Sequence, residues 1–236
     1  MRYLFLLVLI LPSAASAEEV RSAEECEAAI TTDAAAAREA AARWILAEPT
    51  FDARMCEATA LRATGAVGTA ALRLTEMGED LGLSMSQVVR AEVFAEAGAL
   101  WLTLGEPHFA HTAFLNAQRL DAASVQPTLL ARAKAALGQF SDARALLNRH
   151  LTTVPDDQEA RFLRAQLLRE LDAFDEAAQD LATLGEAPQV QIERALLAAD
   201  QGDLPTASDL LLDVIAADPD SRAAQDAQAE LQRLAQ

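Results

Sequence analysis

The stretch LGEPHFAHTAFLNAQRLDA, Leu104 to Ala122, sets a Gly and a Pro between two apolar runs and then spaces Ala110, Phe114 and Ala117 by four and three residues. Steps of four and three return to one face of a helix, so these residues form a stripe that reads small, large, small. Small side chains let two helices approach closely, and a large one between them fills the gap against a third. The stripe therefore describes one helix of a hairpin that itself has a neighbour.

The pattern recurs along the chain. With Gly105 as a marker, Gly138 follows after 33 residues, Asp172 stands in the same place 34 further on, and Gly202 comes 30 later. Downstream of these turns lie Ala110, Phe114 and Ala117; Ala143, Leu147 and His150; Ala177, Leu181 and Leu184; Ala207, Leu211 and Val214. Upstream, Gly98, Ala131, Ala165 and Ala195 each sit seven residues before the marker. A period of about 34 residues with this content predicts stacked helical hairpins, none of them stable alone. Burying each Phe or Leu contributes roughly 1.5–3 kcal/mol, enough for a few per unit to bind neighbours together.

Earlier in the chain, Phe51 to Leu81 reads as another unit, with Ala58, Gly65, Ala70 and Leu74 in the corresponding places. Extra residues around GEDLGLSMS separate it from the next, and Ser84 with Gln87 suggests a capping box there. Residues 18–50 read as a degenerate first hairpin closed by Pro49, and 51–220 as the repeats. The tail, 221–236, places Ala224, Ala227, Leu231 and Leu234 near one face and predicts the terminal capping helix that such a stack needs.

On these residues the chain resembles the tetratricopeptide-repeat family. Ala91 to Ala122 fits best, through Phe94, Gly98, Trp101, Leu104, Gly105, Ala110, Phe114 and Ala117, and Pro155 and Pro219 match the family's proline at a unit's end. Lys134 departs from the pattern at a place where the family buries an aromatic, and Asp172 replaces the turn glycine. The resemblance implies an all-α, right-handed superhelical solenoid of about five antiparallel hairpins plus the capping helix.

The start, MRYLFLLVLILPSAASAEE, carries Arg2, an apolar run from Leu4 to Leu11, a breaking Pro12 and small residues to Ala17. Residues 1–17 read as a secretory signal peptide, so the expected location is the periplasm of a bacterium with a Gram-negative envelope. Alanine and arginine richness with a single lysine suggests a GC-rich genome. The net charge of −17 argues against nucleic acid and anionic lipid as partners. In an oxidising compartment, two cysteines suggest one disulfide. Cys26 and Cys56 fall near the middle of the first helices of consecutive units, which are neighbours in a stack, so a bond between them is sterically reasonable.

Few residues suggest chemistry. His108 and His111 stand three apart beside Glu106, a spacing that can place two imidazoles on one face for a metal, but His150 is the sole other histidine. Surface histidines are the favoured reading, and no nucleophile motif or phosphate loop is present. The expectation is a protein without catalytic residues, cofactor or metal. Trp44 and Trp101 are expected to be core.

The resemblance places function on a concave groove lined by the first helices, where family members hold an extended peptide or a partner's helix. By position the groove includes Thr59, Arg62, Glu92, Ala99, Thr103, Arg132, Phe162, Gln166, Arg169 and Ile192. Three arginines in so acidic a chain suggest a partner carboxylate, because a guanidinium can fork onto one with two hydrogen bonds. Met55 and Thr59 stand where chaperone-tail binders carry Lys and Asn, which disfavours that role. The expected partner is an envelope protein or peptide; an alternative expectation is a place in an assembly complex for outer-membrane biogenesis, cytochrome maturation or division, and self-association is another.

Overall fold

The computed structural model describes residues 20–235, so the signal-peptide reading of residues 1–17 lies outside the described residues. All regular structure among the described residues is helical. The chain divides into two compact units, one up to Met85 and one from Ser86.

The first unit contains α1 (Ala23–Ala47), α2 (Phe51–Ala63) and α3 (Val67–Glu79). Within α1, Asp33 has extended φ/ψ, and its carboxylate accepts from the N–H groups of Ala35 and Ala36. Asp33 thus ends one helical segment and caps a second. An uninterrupted helix of this length would run about 37 Å. Val20 and Trp44 instead line one cleft, and Cys26 and Trp44 share one buried cluster, so the two segments fold back on each other at Asp33. Trp44 is buried, as expected. Cys26 and Cys56 are bonded, with Cα atoms 5.8 Å apart, and tie the first segment of α1 to α2.

The second unit contains α4 (Gln87–Thr103), α5 (Pro107–Leu120), α6 (Pro127–Ala136), α7 (Phe140–Thr153), α8 (Gln158–Glu170), α9 (Phe174–Ala182), α10 (Pro188–Asp200), α11 (Leu204–Ala217) and α12 (Arg222–Leu234). Successive helices pack as hairpins, and α4, α6, α8, α10 and α12 each also touch the next in that series. This is a solenoid of stacked hairpins, closed by α12, which packs on α10 and α11. The capping helix is amphipathic, with Ala224 and Ala227 buried and Arg222, Gln225 and Asp226 exposed. Ser86, not Ser84, is the N-cap of α4, its hydroxyl accepting from the Val89 N–H. The intervening loop is anchored instead by the buried Leu83, whose N–H donates to the Asp80 carbonyl.

Each hairpin turns the same way. Gly105, Gly138, Asp172 and Gly202 all have φ between 56° and 86°. At each, the marker N–H donates to the carbonyl three residues back and the next N–H to the carbonyl five back, as in Glu106 to Trp101 and Ala173 to Leu168. These are the paired bonds of a Schellman motif. In unit 1 the Gly65 turn makes the same pair. Asp172 therefore substitutes for glycine without altering the turn, because a short acidic residue tolerates the left-handed region better than most.

The stripe is the core. Ala110, Phe114 and Ala117 are fully buried and join Ala91 and Phe94 of their own hairpin with Val125, Leu130 and Ala133 of the following one. The same arrangement repeats around Leu147, Leu181 and Leu211. Lys134 keeps its place by extending: its stem is largely covered while Nζ reaches Gln139 and Asp142 at 3.4 Å. Trp101 differs from the core expectation. It is half-buried and lies against the exposed Phe109, ring centroids 5.0 Å apart.

Candidate functional site

The first helices α4, α6, α8 and α10 share a face on which the expected groove residues of unit 2 fall. Taking the small residue of each as origin, Ala99, Arg132, Gln166 and Leu196 follow it by one position, and Thr103, Ala136, Glu170 and Asp200 by five. Ion pairs connect these helices across the stack. Arg132 reaches Glu159 of α8 at 3.1 Å. Arg169 of α8 donates through Nε to Glu193 (2.6 Å) and through Nη1 to Asp200 (2.8 Å), both on α10, and lies 3.0 Å from Glu170. The Gln166 amide also points to Glu193, at 3.5 Å.

These contacts correct the reading of the groove arginines as a carboxylate trap. Arg132 and Arg169 are already paired with carboxylates of the next hairpin. Glu193 is almost wholly buried, its side chain 4% exposed, and is held by that guanidinium. Burial opposes the charge on Arg169, but hydrogen bonds from it to Glu193 and Asp200 outweigh burial and hold its pKa above the ordinary arginine value. Between the ionic contacts, Phe162 and Ile192 are half-buried, each packed partly against the core of its own hairpin. Glu92 and Thr103 are exposed on α4.

In unit 1, Thr59 lines a cleft of about 310 Å³ with Met55, Ile30, Thr31, Glu27 and Asp52, beside the disulfide. Arg62 is exposed near the end of α2.

The histidines take separate roles. His108 is exposed, whereas Nε2 of His111 is buried without a hydrogen-bond partner. Burial, and then the charges of Lys134 and His108, lower the His111 pKa. His150 meets Asp157 at 2.7 Å, and Asp157 also caps α8 by accepting from the Ala160 N–H, so this pair fastens α7 to α8. Among the described residues, no group of three or more His, Cys, Asp or Glu is gathered for a metal ion. No helix among them is long and apolar enough to cross a membrane.

Sequence reasoning missed a second buried acid. Asp180 of α9 is forked by Arg164 of α8 through Nε and Nη2 at 2.7 and 2.6 Å, and Arg161 stands 3.7 Å away. The hydrogen bonds that Arg164 donates to Asp180 are the main reason its pKa lies above the ordinary arginine value. The bridge also reaches Asn148 of α7, at 3.0 Å.

Residues 128–167, spanning α6 to α8, match the tetratricopeptide-repeat family in sequence. The fold is that of a tetratricopeptide-repeat protein. Among solved tetratricopeptide-like structures, PilF of Pseudomonas aeruginosa is similar with a TM-score of 0.58, at 16% identity over 88% of this chain and 99% of that one. PilW, described as a widely conserved type IV pilus biogenesis factor, gives 0.61 at 18% identity over 86% and 94%. YrrB, a tetratricopeptide-repeat protein with an unusual peptide-binding site, gives 0.55 at 19% identity over 81% and 99%. At these identities the likeness is one of fold. No curated protein matches the sequence.

Proposed function

We propose that this tetratricopeptide-repeat protein is a non-catalytic scaffold that holds a partner protein or peptide on the face formed by its first helices. The observation that carries the reading is the series of ion pairs linking α6, α8 and α10, with half-buried Phe162 and Ile192 left between them. Salt bridges within the stack hold the helices at a fixed spacing, and the apolar side chains between them offer contact area that the fold itself does not fully use. The location proposed is the periplasm, supported by the leader-like start and the Cys26–Cys56 bond. Envelope assembly is the setting in which such a scaffold would act.

The test is affinity capture from envelope extracts with the parent protein, Phe162→Ala and Ile192→Ala, followed by mass spectrometry. A partner captured by the parent and lost from both variants, at unchanged helical circular dichroism, supports the reading. Equal capture by all three removes this face from consideration.

A further inference from the structure

We propose that the first-helix face of unit 2 selects a segment in which basic residues alternate with apolar ones, and discriminates against a carboxylate tail. The inference rests on the groove reading above and names the chemistry of its occupant. Two independent sets of contacts lead to it.

The first is how the cations are occupied. Arg132 is matched by Glu159, and Arg169 is shared among Glu193, Asp200 and Glu170. At Arg169 a ligand carboxylate would compete with acids already bonded there, at a cost for the buried Glu193, and at the half-exposed Arg132 it would add a second acid beside Glu159. The acids outnumber the cations in this network, and several keep an open side: Glu159, Glu170 and Asp200 have side chains 57%, 45% and 37% exposed. Glu92 occupies on α4 the register that Glu159 occupies on α8, and it too is exposed. The face therefore presents a surplus of negative charge to anything that settles on it, and complementary charge raises both encounter rate and selectivity.

The second is the apolar component. Phe162, Ile192 and Leu196 are half-buried on the same helices, next to the acids. A wholly hydrophilic polycation would leave these unused, whereas an alternating segment covers them while its ammonium or guanidinium groups reach the carboxylates. In unit 1, taken by itself, the cleft beside the disulfide repeats the composition: Glu27 and Asp52 flank Ile30 and Met55, and no basic residue lines it.

The experiment is fluorescence anisotropy with the full chain and labelled synthetic peptides that share a Leu/Phe frame and carry Lys, Ser or Glu at the intervening positions. Each is made with a free and an amidated C-terminus, and one Lys peptide has its apolar residues replaced by Ser. The Lys peptide on the apolar frame should bind about tenfold or more tighter than the Glu peptide, with the difference shrinking as salt rises and no loss on amidation. Asp200→Asn, which releases one bond of Arg169 at an exposed site, should narrow the Lys-over-Glu preference. Equal or tighter binding of the Glu peptide, dependence on a free C-terminus, or equal binding of the Lys peptide without its apolar frame overturns the proposal. If the preference for Lys holds but Phe162→Ala and Ile192→Ala leave affinity unchanged, the site is elsewhere and the groove reading itself fails. Absence of binding by every peptide overturns both.

Discussion

Gly98 of α4 lies under the ring of Phe114 of α5, so close that a Cβ on the glycine would stand 2.6 Å from Cε1 and 2.7 Å from Cδ1. The pair explains the small–large–small stripe in atomic terms: the ring fills the space that the missing side chain leaves. Phe114 is fully buried, so it has nowhere to retreat. Gly98→Ala should therefore destabilise unit 2, by about 1–2 kcal/mol: overpacking costs roughly 1–3, and the better helix propensity of alanine returns up to about 1. Thermal or urea unfolding checks this; an unchanged or raised midpoint would contradict the close approach.

At Asp172 the expectation runs the other way. Its φ of 56° costs an L-residue roughly 1–2 kcal/mol, less for Asp, and glycine has no such penalty but loses more entropy on folding. Asp172→Gly should raise stability by about 0.5 kcal/mol, while Gly138→Ala at the equivalent turn should lower it by about 1. Opposite signs at two superposable turns, read from the same denaturation series, are the diagnostic.

Much of this architecture was legible in sequence, because a period of about 34 residues is written in residues with a definite local requirement: the turn markers through their positive φ, Gly98 and the Ala–Phe–Ala stripe through close packing. The Asp33 break was less visible, since its mark is one capping residue within an alanine-rich run and no glycine signals the fold-back. The groove positions were placed by register, but their electrostatics were not. Whether Arg169 faces a partner or Glu193 depends on two residues 24 apart in sequence meeting across a stack, and no local pattern encodes that. For the same reason Asp180 looked like one acid among many until Arg164 was brought to it.

The two classes of ion pair should separate cleanly under mutation. Glu193 is buried against Arg169, and removing it leaves a covered guanidinium short of a partner, so Glu193→Ala should cost about 3 kcal/mol. The Arg132–Glu159 pair is open to solvent on both sides, so Glu159→Ala should cost under about 1 kcal/mol. A double-mutant cycle for each pair supplies the comparison, and equal coupling energies would show that burial does not set their strength.

Reducing the Cys26–Cys56 bond should act on unit 1. The bridged residues are 30 apart in sequence, and the chain-entropy account gives roughly 3–4 kcal/mol for closing such a loop. Hydrogen exchange of the Cys26→Ser, Cys56→Ser double variant should show faster exchange in α1 and α2, with protection in α8 to α11 retained. Uniform protection across α1 and α2 in that variant would show that packing around Trp44 suffices without the bond.

Stability should also fall in two separate steps as the solution is acidified. His111 has a folded-state pKa below its unfolded value of about 6.5, from burial first and then from Lys134 and His108. The unfolded chain therefore takes up this proton first, so the contribution is fully present above about pH 6.5 and is lost as pH drops from there through the folded pKa. Asp157 is also lowered, chiefly by the Ala160 N–H and then by His150. Its contribution is present above the unfolded carboxylate value of about 3.9 and disappears as pH falls from there through its folded pKa. His111→Gln should flatten only the upper step and Asp157→Asn only the lower, as measured by unfolding midpoints over a pH series. Persistence of the upper step in His111→Gln would assign it to another group and leave the buried Nε2 without consequence for stability.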